Sequence, residues 1–108
     1  MSRSEYQIVF MTASSKDEAE RIALALVENG LVACVNIVDK CRSVYRWKGE
    51  IVNDTETMMF AKTRRENFDE IVRMVSALHS YDVPEIIAAD LTSLSQGYGA
   101  FLRDTLGG

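Results

Sequence analysis

Between Leu31 and Thr63 the chain reads as extended strand almost without interruption, broken only at Lys48-Gly49. Leu31, Ala33, Val35 and Ile37 fall on one side of the first arm by the two-residue alternation of a strand. That arm continues through Arg42-Ser43-Val44-Tyr45-Arg46-Trp47, and Glu50 to Thr63 returns. Glycine at the second position of a two-residue turn suits a hairpin. Each arm is two to three times the usual strand of ~5–6 residues. Laid straight, the longer arm would span about 55 Å at ~3.3 Å per residue, whereas a body of this chain length is about 35 Å across. The hairpin must therefore bend, break near Asp39-Lys40, or project beyond its own domain. Its far end carries Val44, Tyr45, Trp47, Ile51 and Val52, which are poorly suited to an isolated arm in water. A second chain pairing with that edge resolves the conflict, with Tyr45 and Trp47 as interface anchors. The alternative is a hairpin curled back on its own sheet.

The remaining elements fit around this hairpin. Tyr6 to Met11 is a short β-rich run. Ser15 with Glu18 has the spacing of a capping box, and Ala19, Ile22, Ala23, Leu26 and Val27 follow as one helical stripe that Gly30 ends. Thr63 with Glu66 repeats the capping spacing ahead of a second stripe, Phe68, Ile71, Val72, Val75 and Leu78. His79 lies in that helix's last turn, and Pro84 keeps it from running on. Pro84 to Thr92 reads as a fourth strand, and after Ser95 the spacing of Tyr98, Phe101, Leu102 and Leu106 gives a short closing helix. The order is β-α-β-β-α-β plus a C-terminal helix, which predicts an α+β, ferredoxin-like sandwich with a long central hairpin.

A length of 108 residues predicts one domain, residues 1–108. A net charge of −4 argues against nucleic acid as a main partner, since phosphate binding needs a concentrated basic surface. Arg64-Arg65 is the one basic pair, read as a solvated first turn with a local anion contact as the alternative. No apolar run approaches the ~20 residues that span a bilayer, so no membrane role is expected. The polar start Met1-Ser2-Arg3-Ser4-Glu5 is no secretory signal, and the cytoplasm is the expected compartment. Cys34 and Cys41 stand too far apart along one straight strand to bridge each other. Cys34 reads as a small buried hydrophobe and Cys41 as more exposed. The sequence holds no GxxxxGK[ST], GxGxxG or HExxH, so a conventional enzyme is not expected.

Four segments in order carry a resemblance: Leu31-Val32-Ala33-Cys34-Val35-Asn36-Ile37, Ser43 to Ile51, Lys62-Thr63, and His79-Ser80-Tyr81-Asp82-Val83-Pro84-Glu85-Ile86-Ile87. Together they resemble the CutA family of divalent-cation tolerance proteins, over about Val9 to Leu106. The resemblance implies a non-enzymatic ferredoxin-like homotrimer with hairpins crossing between subunits, a link to divalent-metal tolerance, and copper binding in some members. The family's proposed copper ligands fall at the ends of the first strand and second helix, here Met11, Leu78 and His79. A Met11–His79 pair of this kind would favour Cu(I). The fold is also similar to that of trimeric PII signalling proteins, which implies ligand clefts between subunits. Thr12-Ala13-Ser14-Ser15, Ser80 and Phe101 depart from prolines and a tryptophan common in the family.

These residues converge on an expected cleft of Lys62, Tyr81, Glu85 and Tyr98 beside His79. There Lys62 would be a buried partner of Glu85, and His79 either a helix-terminal charge or a ligand. No cofactor is obligatory on this reading. Copper or another divalent metal is the expected ligand, with a PII-like module binding a small metabolite or anion as the alternative.

Overall fold

The computed structural model describes residues 4–107. Met1 to Arg3 of the polar lead-in lie outside the described residues. Strand β1 (Tyr6–Ala13) is followed by α1 (Lys16–Glu28), β2 (Cys34–Trp47), β3 (Glu50–Arg64), a single 3-10 turn (Arg65–Asn67), α2 (Phe68–Leu78), β4 (Ile86–Asp90) and α3 (Gln96–Leu106). The strands form one antiparallel sheet in the order β2-β3-β1-β4. This is the α+β, ferredoxin-like arrangement that the sequence predicts.

Alternation along the strands sorts the side chains into two faces. Val9, Met11 and Ala13 of β1 and Met59 and Ala61 of β3 point to one side, where Ala19, Ile22 and Leu26 of α1 and Ile71 and Val75 of α2 cover them. Leu31, Val35, Ile37, Phe68, Met74 and Ile86 pack around this core. The registers Phe10↔Phe60, Phe10↔Ile87, Asn36↔Phe60 and Val38↔Met58 place the intervening residues on the opposite face. There α3 covers only the Cys34 end, with the Tyr98 hydroxyl 3.5 Å from Cys34 Sγ. Phe10 and Phe60 meet at 6.4 Å between centroids, and beside them Ile87 is 54% and Val38 50% exposed.

Of the bend, break or projection that the hairpin's length allows, the structure shows an irregularity at Asp39-Lys40 within a strand that stays continuous. The register shifts between Val38 and Cys41, and Lys40 takes a left-handed φ of 60°. Asp39 Oδ1 accepts from the Lys40 amide and from the Thr57 hydroxyl, each at 2.9 Å, and these bonds, the Thr57 one foremost, hold its carboxyl below its ordinary value. Such a bulge bends and twists the strand that carries it. At the tip both Lys48 (φ 51°) and Gly49 (φ 82°) are left-handed, as a tight hairpin turn requires. The tip stays in water: Val44 is 68% and Ile51 69% exposed.

Several local expectations change. Ser15 caps α1, its hydroxyl accepting from the Glu18 amide at 3.1 Å, but Glu18 returns to the Ser14 amide rather than to Ser15. The second capping box does not form. Thr63 stays inside β3, fully buried, and its hydroxyl satisfies itself on the Leu31 carbonyl at 2.6 Å, while α2 begins after the 3-10 turn with no side-chain cap on Asn67. A buried hydroxyl that must find an acceptor outweighs a capping preference. Val27 and Leu78, on the edges of their stripes, are exposed, whereas Val32, just ahead of β2, is buried. Cys34 is half-buried, and β4 is confined to Ile86–Asp90 rather than running from Pro84 to Thr92.

The burial pattern predicts that Ile71→Ala destabilises the fold by about 2–5 kcal/mol, the cost of a cavity in a closed core. Val27→Ala should change stability by only about 0.5 kcal/mol. Urea unfolding midpoints of both variants test this, and equal losses would show that the helix face has been misassigned.

Candidate functional site

A buried carboxylate organises the end of α2. Glu18 is 3% exposed, yet it accepts three hydrogen bonds and stands beside the His79 ring. Oε1 receives the Ser14 amide at 2.9 Å and the Ser14 hydroxyl at 3.0 Å, Oε2 receives the Ser80 amide at 2.9 Å, and His79 Nδ1 lies 3.8 Å from Oε1. Burial pushes this carboxyl upward, but the Ser14 and Ser80 donors more than reverse it and bring it from 4.5 to about 2. Glu18 thereby ties the start of α1 to the chain leaving α2.

His79 completes the tie. Its Nδ1 accepts from the Tyr81 amide at 3.0 Å, so the ring proton sits on Nε2 and is donated to the Thr12 carbonyl at 2.7 Å. With its backbone held in this way, Tyr81 swings across to β3 and donates its hydroxyl to Glu56 Oε2 at 3.0 Å. Desolvation first, and then the Glu56 carboxylate, raise the Tyr81 phenol well above its usual range, so it remains a donor.

Beyond Tyr81 opens a groove of about 530 Å³ between the far half of the hairpin and the segment leaving α2. Tyr45, Trp47 and Tyr81 supply aromatic walls; Asp54, Glu56, Asp82 and Glu85 supply carboxylates; Thr12, Val83 and Pro84 fill in between. Among the described residues no lysine, arginine or histidine side chain lines it. The phenol of Tyr45 is likewise raised, by desolvation and then by Asp54 and Glu56.

The expected cleft is thus only partly assembled. Tyr81 and Glu85 line the groove, joined by the expected interface anchors Tyr45 and Trp47. Lys62 does not meet Glu85. It stands in register with Ile8 and Ala89, while Glu85 adjoins Ile86, which pairs with Met11, so roughly 10–13 Å of strand separates them. Lys62 instead donates to Asn36 Oδ1 and lies 5.3 Å from the Phe60 ring. Tyr98 also sits at that distant end, where its contact with Cys34 and burial push its phenol up to about 12.

The Met11–His79 pair does not fit a copper ion. Both ring nitrogens of His79 are engaged, and Met11 is buried on the helix-covered face, 1% exposed. Among the described residues no three His, Cys, Asp or Glu side chains gather closely enough to hold a metal ion. A second hollow of about 310 Å³ lies beside Arg64 and Arg65. Rather than forming a solvated turn, these two are paired, Arg64 with Glu66 at 2.5 Å and Arg65 with Asp90, and offer little to an anion.

Sequence reasoning missed Glu18, Asp54, Glu56 and Asp82. Glu18 was visible only as a capping residue, and the polar run Asn53-Asp54-Thr55-Glu56-Thr57 gave no hint that Glu56 is 7% exposed.

Comparison with known proteins now decides the family. The profile described as CutA1 divalent ion tolerance protein matches residues 7–105. The divalent-cation tolerance protein CutA of Thermus thermophilus is 43% identical over 101 residues, covering 94% of this chain and 98% of that protein. The chain belongs to the CutA1 divalent ion tolerance family. The chloroplastic protein CutA of Arabidopsis thaliana is 36% identical over 98 residues, 91% of this chain but 54% of that protein's length. The structure of the periplasmic divalent cation tolerance protein CutA from Archaeoglobus fulgidus superposes with a TM-score of 0.89 at 39% identity, covering 94% of this chain and 98% of that one. The family is described by ion tolerance rather than by a catalysed reaction, and its members carry different compartment names. No helix of the described residues is long and apolar enough to cross a membrane.

Because the Glu18 carboxyl is lower in the folded chain than its ordinary 4.5, its stabilisation is complete above about pH 4.5 and fades as pH falls toward about 2. The shift corresponds to an effect on the order of 3 kcal/mol. Glu18→Gln should therefore lower the urea midpoint clearly at pH 7, with the gap from wild type narrowing at pH 3. A gap that stays constant would mean the carboxylate's charge is irrelevant to the tie.

Proposed function

We propose that the chain acts as a non-enzymatic homotrimer in divalent-cation tolerance, and that its acidic groove is the surface through which it meets cations. The observation that carries the assembly is the bare half of the sheet: Phe10 and Phe60 half-buried, Ile87 and Val38 exposed, with no helix over them. An uncovered apolar sheet face and an apolar hairpin tip favour association with further copies. The family resemblance supports three copies rather than two, with the hairpins reaching between subunits. Two free thiols, Cys34 and Cys41, support a reducing, cytoplasmic setting.

The acidity of the groove bears on the ligand. Asp54, Glu56, Asp82 and Glu85 face it without a lysine, arginine or histidine among them, so it attracts cations and repels anions. This favours the cation-tolerance reading over a PII-like anion site. Copper held by His79 and Met11 is no part of the reading, since neither offers a free donor.

Light scattering tests the assembly. The wild type should have the mass of three chains, and Ile87→Glu should shift it toward one chain while leaving the circular dichroism spectrum unchanged. A monomeric wild type would remove the trimer and any site shared between subunits.

A further inference from the structure

We propose that the groove between the hairpin and residues 81–85 binds an organic ammonium cation, with the charge against its carboxylates and the carbon skeleton against its aromatic walls. The proposal rests on the reading of this groove as cation-facing and names the class of cation.

The lining is one-sided in charge: its four charged side chains are all carboxylates. The Tyr81 hydroxyl is committed as a donor to Glu56, which leaves its oxygen lone pairs facing outward. Asp82 and Glu85 are exposed and form no ion pair among the described residues. These carboxylates suit a ligand that brings donors together with positive charge, and an alkylammonium group brings both.

A bare divalent ion is a poorer match. Calcium and magnesium need several oxygens converging within about 2.0–2.6 Å of one point. Here the carboxylates are spread along the hairpin and the segment that follows α2, and among the described residues no three gather closely enough to hold a metal ion. The walls instead suit a cation with volume. Trp47, Tyr45 and Tyr81 supply aromatic rings of the kind that attract ammonium groups. The chain's own Lys48 ammonium already lies 5.9 Å from the Trp47 ring, so this ring accepts such a contact. A volume of about 530 Å³ falls in the range of small-molecule sites.

Trp47 is the only tryptophan and reports on the groove directly. The assembled full-length protein is titrated with butylammonium and tetramethylammonium chloride at constant ionic strength, in parallel with magnesium chloride, manganese chloride and sodium glutarate. The expected result is a saturable change in Trp47 fluorescence with the ammonium salts and none with glutarate. Asp82→Asn combined with Glu85→Gln, two exposed positions whose change spares the core, should weaken it about tenfold. Tyr81→Leu should weaken it separately. Saturation by the metal chlorides alone overturns the organic cation but leaves the cation-facing groove standing. Ammonium binding unaffected by the double variant also overturns the proposal, by placing the ligand elsewhere. No saturation with any cation overturns both the proposal and the cation-facing groove, while the mass measurement still judges the trimer independently.

Discussion

Strand β3 lies between β1 and β2 and is paired along almost its whole length, from Glu50 against Trp47 to Arg64 against Tyr6. Its alternation therefore sets the orientation of every residue on its neighbours. Thr57, Met59, Ala61 and Thr63 turn toward the helices and are sealed there. Glu56, Met58, Phe60 and Lys62 turn the other way. A one-residue slip would exchange the two sets, burying Lys62 and Glu56 under the helices and exposing the core, so burial itself fixes the register. The apolar face left bare, the acidic groove and the distant placement of Lys62 all follow from that register.

The groove owes its shape to interactions at some distance from it. Glu18 and His79 both act on the few residues after α2, one through the Ser80 amide and the other through the Tyr81 amide. Neither side chain lines the groove. A carboxylate held near 2 by amide and hydroxyl donors stays charged across physiological pH and keeps those donors satisfied. The result is a rigid platform for Tyr81, whose hydroxyl then fixes Glu56 on the opposite wall. The lone histidine, which invites a metal-binding reading, is a clamp between β1 and the segment following α2.

The exposed apolar surfaces follow from the size of the chain. A chain of this size buries only part of its apolar side chains in one helix-covered layer, and the remaining sheet face and hairpin tip are the kind of surface that assembly covers. Asp39 and Thr57 support the bend beyond which the hairpin's far half forms one wall of the groove opposite residues 81–85.

The sequence by itself determined the element order, the long hairpin with its Lys48-Gly49 turn, the Ser15 and Ser95 helix starts and the family. These rest on local periodicity, on turn chemistry and on ordered motifs, all written within short windows of chain. Tertiary structure alone decided which of those residues meet. Lys62 and Glu85 look like partners in a motif, but β1 lies between their strands and the register carries them to opposite ends. Thr63 looks like a helix cap until the Leu31 carbonyl, 32 positions away, offers a buried acceptor. His79 looks like a ligand until Thr12 and Tyr81 occupy both of its nitrogens. A hydrogen-bonding group takes whichever partner the packed chain brings within reach, and that partner is set by strand pairing rather than by neighbours in sequence.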